Sequence, residues 1–199
     1  MKSHTKPTPD HQQLYQLAEQ QAGYFSTRQA RTVGLTRPLL SYYTKTGYLQ
    51  RIQRGVYRLT RFPEMPLADL FVAWLVAGPR AVISHESALA VYDLTDVLPS
   101  EIHLTVSRTT SRRGKTMRLH TKRLAKSEIT QRAGLPITTV VRTLADLATS
   151  GLSEEQMRLA ISQALTRGLV TRETLTKYAR KRGGRMARLI DQTRTKRPK

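Results

Sequence analysis

Residues Thr36 to Tyr57 constrain this chain more than any other stretch: Thr-Arg-Pro-Leu-Leu-Ser-Tyr-Tyr-Thr-Lys-Thr-Gly-Tyr-Leu-Gln-Arg-Ile-Gln-Arg-Gly-Val-Tyr. Arg37 precedes a proline and is pushed toward extended geometry, so Pro38 is expected at the first helical position. The helix runs to Gly47. At about 100° per residue Thr36, Leu40 and Tyr43 share one face with Leu39 at its margin, and Arg37, Ser41 and Lys45, flanked by Tyr42, share the other. One side can pack on a core. The other offers donors to phosphates and base edges. Two short alternating runs follow, 48–52 and 56–59, joined by Gln53-Arg54-Gly55 as a hairpin. A recognition helix followed by a hairpin is the order of a winged helix-turn-helix.

The residues before it supply the missing helices. His11 to Ala22 reads as a helix with Leu14, Leu17, Ala18 and Gln21 on one face, stopped by Gly23. Ser26-Thr-Arg-Gln29 is a capping box that opens a second helix from Thr27 to about Val33. Arg28 on that helix, and Arg51, Arg54 and Arg58 on the hairpin, are expected to reach backbone phosphates beside the groove that the Pro38 helix enters.

Charge points to the same partner. The 199 residues carry 34 Lys and Arg against 14 Asp and Glu, a net +20. Such an excess strains a compact fold by self-repulsion, which an anionic partner relieves. The chain has no cysteine, which excludes disulfides, thiol catalysis and Cys-ligated zinc. No apolar run reaches membrane-spanning length, and the N-terminal Met-Lys-Ser-His-Thr-Lys-Pro lacks a signal-peptide core. The expected location is the cytoplasm, with no membrane partner.

Pro63 and Pro66 bracket a linker to an apolar helix, Leu67 to Ala77, that contains Trp74. Ser84 is the expected N-cap of a helix through Leu94, with His85 at the cap or the surface. Strands are expected at Glu101 to Val106 and Met117 to Leu124. The Arg-, Ser- and Thr-rich connection between them has no acidic residue and reads as a hairpin tip. Its Arg112, Arg113 and Lys115 are candidate contacts to nucleic acid backbone. A helix with Val141, Leu144, Ala145 and Ala148 on its buried stripe follows. Two more are capped by Ser153 and Thr171. The expectation is an α+β chain: a disordered arm (1–10), a winged helix-turn-helix (11–60), a mixed α/β domain with a helical C-terminal part (61–182), and a basic tail (183–199) free to lie along phosphates.

The pattern Gly-x-Leu-x-Arg-Ile-x-Arg-Gly-Val-Tyr at Gly47 to Tyr57 resembles the N-terminal winged helix of the AbiEi antitoxins. Val82-Ile-Ser84, Ser87-Ala-Leu89, Glu101-Ile-His-Leu-Thr105 and Arg142-Thr-Leu-Ala-Asp-Leu-Ala148 resemble that family's second domain, in the same order. The chain departs at Asp93-Leu94, where many relatives have Gly before the Leu, and this bears on the turn there. The resemblance implies a DNA-binding antitoxin that represses its own operon by binding promoter repeats, with more than one copy on the DNA. A nucleotidyltransferase-like toxin is the implied counterpart. Two rivals are a winged-helix protein related to nucleases and a non-specific nucleic-acid binder. The nuclease needs clustered carboxylates and a lysine around Mg²⁺, whereas Glu101-x-His103 has His in the lysine position. No metal-ligand spacing, phosphate-binding loop or dinucleotide motif is visible. No catalytic residue, metal or cofactor is expected.

Overall fold

The computed structural model describes residues 9–95, 99–107, 116–182 and 184–192. They form two compact units divided at Pro79/Arg80, so the Trp74 helix belongs with the first unit rather than opening the second.

The first unit begins with α1 (His11–Glu19), whose N-cap Asp10 accepts a hydrogen bond from the Gln13 amide. Leu14, Ala18 and Gln21 are buried, as the 3.6-residue spacing requires. The chain turns at Gly23, whose φ of +86° lies in the left-handed region. A β-carbon there would sit 2.7 Å from the Phe62 ring. Both the torsion and the ring exclude a side chain. Strand β1 (Tyr24–Ser26), which sequence patterning does not reveal, leads into α2 (Thr27–Thr32). The capping box forms: Gln29 N donates to Ser26 Oγ at 3.2 Å, and Ser26 N donates back to Gln29 Oε1 at 2.9 Å.

After the turn at Gly34 comes α3 (Arg37–Lys45), with Pro38 in its first turn. Then β2 (Leu49–Gln53) and β3 (Val56–Leu59) pair antiparallel with a register shift between Arg51 and Gln53. The sheet order is β1-β3-β2. The core of this unit gathers Leu14, Phe25, Leu35, Leu40, Leu49 and Leu59. Helix α4 (Ala68–Ala77) packs against β1 and β3 through its buried Phe71 and Ala73.

The second unit is a five-stranded sheet of order β6-β5-β4-β8-β7. Its strands are β4 (Val82–Ile83), β5 (Ile102–Thr105), β6 (Met117–His120), β7 (Ile129–Arg132) and β8 (Leu135–Thr138). Strands β5 and β6 pair parallel, so the two strands do not form the hairpin expected there. The hairpin lies later, at β7–β8. Its turn residues Ala133 and Gly134 have φ of +49° and +79°, which suits a two-residue connection.

Helix α5 (His85–Val91) ends in a turn where Asp93 takes φ +55° and Leu94 N donates to Leu89 O at 3.1 Å. Asp93 thus adopts the left-handed conformation that a glycine would take, and the departure from the family pattern keeps the turn intact. Helix α6 (Val140–Ser150) is buried almost all round, with Val141 half-buried rather than central to the stripe. Helices α7 (Glu154–Thr166), α8 (Arg172–Arg182) and α9 (Arg185–Gln192) complete the unit. The tail expected from 183 onward is corrected here: α9 packs against α6, α7 and α8 and buries Met186 and Ile190. Two apolar residues four apart define a face that its arginines disguise in the sequence.

Candidate functional site

Helix α3 divides as its periodicity predicts, with one exception. Leu40 is 1% exposed and Tyr43 packs on the core while its hydroxyl meets His11 Nε2 at 3.0 Å. Thr36, expected inward, is exposed and makes no side-chain cap. On the other face Arg37, Ser41, Tyr42 and Lys45 are all exposed, Tyr42 at 59%. Positions 37, 41 and 45 are spaced by four, so they rise in one row along the helix. Arg28 on α2, Arg51 on β2 and Arg54 at the hairpin turn are also exposed.

Arg58 is different. It is 8% exposed, its Nη2 donates to Phe62 O at 2.6 Å, and its guanidinium lies 5.7 Å from the Tyr24 ring centre. Both faces of β3 are covered there, Leu59 being buried beside it, and the guanidinium holds the 59–62 turn instead of standing exposed. Arg112, Arg113 and Lys115 lie outside the described residues.

The second unit holds two buried polar clusters. The first centres on Arg142, 1% exposed. Its Nε donates to Asp146 Oδ2 at 2.7 Å and its Nη1 to Glu128 Oε2 at 2.7 Å. Glu128 also accepts from Tyr178 Oη at 2.5 Å and from Ala125 N at 2.9 Å. Lys122 Nζ stands 3.5 Å from Asp146. The cluster ties the short turn before β7 (Lys126–Glu128) to α6 and α8. Burial pushes the Glu128 carboxyl up, but the hydrogen bonds from Tyr178, Ala125 and Arg142 outweigh it and hold the group at about 2, down from 4.5.

A depressed carboxyl stabilises the fold above its unfolded value, and that contribution is lost as pH falls through the folded one. The second unit is therefore expected to lose stability between pH 4.5 and 2. Urea unfolding across that window checks this, and Glu128→Gln should flatten the dependence. An equal slope in the variant contradicts it.

The second cluster joins three of the chain's five histidines. His85 begins α5, His103 sits in β5, and His120 ends β6. The His85 and His120 rings stack at 3.5 Å, and His120 Nε2 lies 3.3 Å from His103 Nδ1. Glu86 Oε2 is 2.5 Å from His103 Nδ1. Burial lowers His85 and His120 to about 4, each reinforced by a histidine neighbour, so both rings are neutral near pH 7. The expectation of a surface or capping role for His85 is overturned: it is 1% exposed, and Ser84 makes no side-chain cap to the helix. Ser84 Oγ instead meets His85 Nδ1 at 3.0 Å and accepts from Thr105 Oγ1 at 2.9 Å.

Two helices joined by a tight turn, with a hairpin against the second, give the first unit a helix-turn-helix-type arrangement. Residues 12–60 match the family model described as the AbiEi antitoxin transcriptional regulator. That match lies within the first unit and covers 49 of the 199 residues, the Arg-Gly-Val-Tyr hairpin among them. The chain also resembles the solved structure of the RV2827C protein from Mycobacterium tuberculosis, at 14% identity and a TM-score of 0.55, covering 90% of this chain and 75% of that one. At that identity the likeness is one of fold. No curated protein matches. Among the described residues no helix is long and apolar enough to cross a membrane.

Proposed function

We propose that this protein is a sequence-specific DNA-binding antitoxin, a winged helix-turn-helix repressor of its own operon. In this reading α3 enters the major groove and presents Arg37, Ser41, Tyr42 and Lys45 to base edges and adjacent phosphates. Arg51 and Arg54 on the β2–β3 wing, and Arg28 on α2, neutralise the flanking backbone. The observation that carries the reading is the exposed polar row on α3, placed beside an arginine-bearing hairpin in the domain that matches the AbiEi regulators. The net +20 supports it, since counterion release from neutralised phosphates drives association.

The same reading places inverted repeats in the promoter, bound by more than one copy, and a nucleotidyltransferase-like toxin that the antitoxin counteracts. Cytoplasmic DNA is the expected target. The protein acts by binding and not by catalysis.

The test is a reporter fused to the DNA upstream of this chain's own gene, with the protein supplied from a second plasmid. Repression is expected. Unchanged reporter output at high protein level contradicts the proposal. Replacing Arg51 and Arg54 together by Ala is expected to weaken binding to promoter and random duplex alike and to reduce the salt slope by about two, one for each lost phosphate contact. Filter binding between low and moderate salt reads that slope. A loss confined to the promoter duplex would assign the two arginines to base reading instead.

A further inference from the structure

We propose that His85, His103 and His120 form a three-histidine binding site for one divalent ion of the zinc class in the second unit. One ligand-capable nitrogen from each ring lies within 4.8 Å of the other two. The 3.3 Å between His120 Nε2 and His103 Nδ1 matches the edge of a tetrahedron, about 3.3 Å, whose centre is a Zn²⁺ at about 2.0–2.1 Å from each nitrogen.

Proton counting makes the case for an ion over an ordinary hydrogen-bonded cluster. His103 Nδ1 faces both the Glu86 carboxylate at 2.5 Å and His120 Nε2 at 3.3 Å. It carries one proton at most and cannot donate along both directions in good line. Glu86 Oε2 is buried and, despite the close contact, has no hydrogen-bond partner of acceptable geometry. The rings thus meet with too few protons to serve every contact, and a cation among the three histidine nitrogens, its charge offset by the neighbouring Glu86 carboxylate, resolves the shortage. The rings are suited to that role because neutral imidazole is the form that ligates.

The surroundings behave as an outer shell. Ser84 Oγ, 3.0 Å from His85 Nδ1, can take the proton of that nitrogen and leave Nε2 with its lone pair for the ion. Ser87 Oγ accepts from His103 N at 2.8 Å and fixes the strand at that point. His85 itself is held at φ +53°, a left-handed conformation uncommon for a residue with a β-carbon, which places its ring in the cluster. Its ring and that of His120 are parallel within 12°, so their lone pairs lie in separate planes. One ring turns about its Cβ–Cγ bond when the ion enters. The ligands come from α5, β5 and the edge strand β6, and the ion therefore pins that edge to the sheet.

Untagged full-length protein, stripped with chelator and titrated with Zn²⁺, is expected to take up one ion per chain and to melt at a higher temperature. Zinc-edge X-ray absorption on that sample should show imidazole scattering from three histidines at about 2.0–2.1 Å. His120→Gln, at a partly exposed strand end, should abolish the stoichiometric uptake, and Ser84→Ala should weaken it about 10- to 100-fold. Circular dichroism establishes that each variant is folded, and the absorption spectrum of the wild type decides independently of them. Folded wild-type protein that takes up no stoichiometric ion, or a zinc shell without imidazole, overturns the site. So does uptake that folded His120→Gln leaves unchanged.

Discussion

Replacing Arg37, Ser41 and Lys45 together by Ala is expected to reduce promoter binding by ~10³-fold or more while leaving the melting temperature within a degree or two of wild type. Each base or phosphate contact of this kind is worth about 1–3 kcal/mol, and three such losses reach about 4 kcal/mol, which is ~10³ in affinity. The stability side follows from exposure: all three side chains point to solvent, and the packing of α3 rests on Leu40 and Tyr43. Electrophoretic mobility shift with the gene's own upstream duplex, alongside calorimetry, reads both quantities. Promoter binding that survives with unchanged melting places the reading face elsewhere. Tyr42, exposed on the same side, would then be the next residue to replace.

The largest expected loss of stability is at Arg142. Arg142→Ala leaves Asp146, 1% exposed, with only the part-exposed Lys122 at 3.5 Å, and takes its cation from Glu128, 13% exposed. Removing one partner of a buried ion pair typically costs about 3–5 kcal/mol, a large fraction of the ~5–15 kcal/mol that holds a domain folded. Urea unfolding should show the midpoint of the second unit collapse toward that of an unstable domain. Charge and packing can be separated. Arg142→Met combined with Asp146→Leu replaces the pair by apolar volume and is expected to recover much of the loss. Glu128 keeps its bonds from Tyr178 and Ala125 in that variant. A loss under about 1 kcal/mol in Arg142→Ala would mean that the cluster adds little.

How far the residues alone reveal the molecule depends on the range of the interactions. Local signals were legible. The capping box at Ser26 and the simple N-cap at Ser153 form where the sequence places them, and the α3 faces follow its period, because both are decided within four residues. Thr36 failed as an inward residue because it stands at the cap, outside the helical period. Arg58, expected at the hairpin surface, is buried because tertiary packing covers both faces of β3 at that point, which the local pattern does not record. The parallel pairing of β5 with β6 is set by sheet topology, which no local pattern records. The histidine cluster was illegible for a similar reason: residues 85, 103 and 120 have no metal-binding spacing and meet only because two strands and a helix start lie side by side. The one available sign is a histidine within a strand that is buried along most of its length. The α9 helix was hidden by its basic composition, and deleting the C-terminus to test a phosphate role must therefore start after Gln192 and not at Arg185.

Specific DNA recognition is the centre of this account, and one comparison tests it most directly: the affinity of the wild-type protein for its own promoter duplex and for random duplex of equal length, measured over a range of salt. The account predicts parallel losses with rising salt, reflecting shared phosphate contacts, and a promoter preference of ~10³-fold or more at physiological salt. Equal affinity for the two duplexes across that range would contradict it.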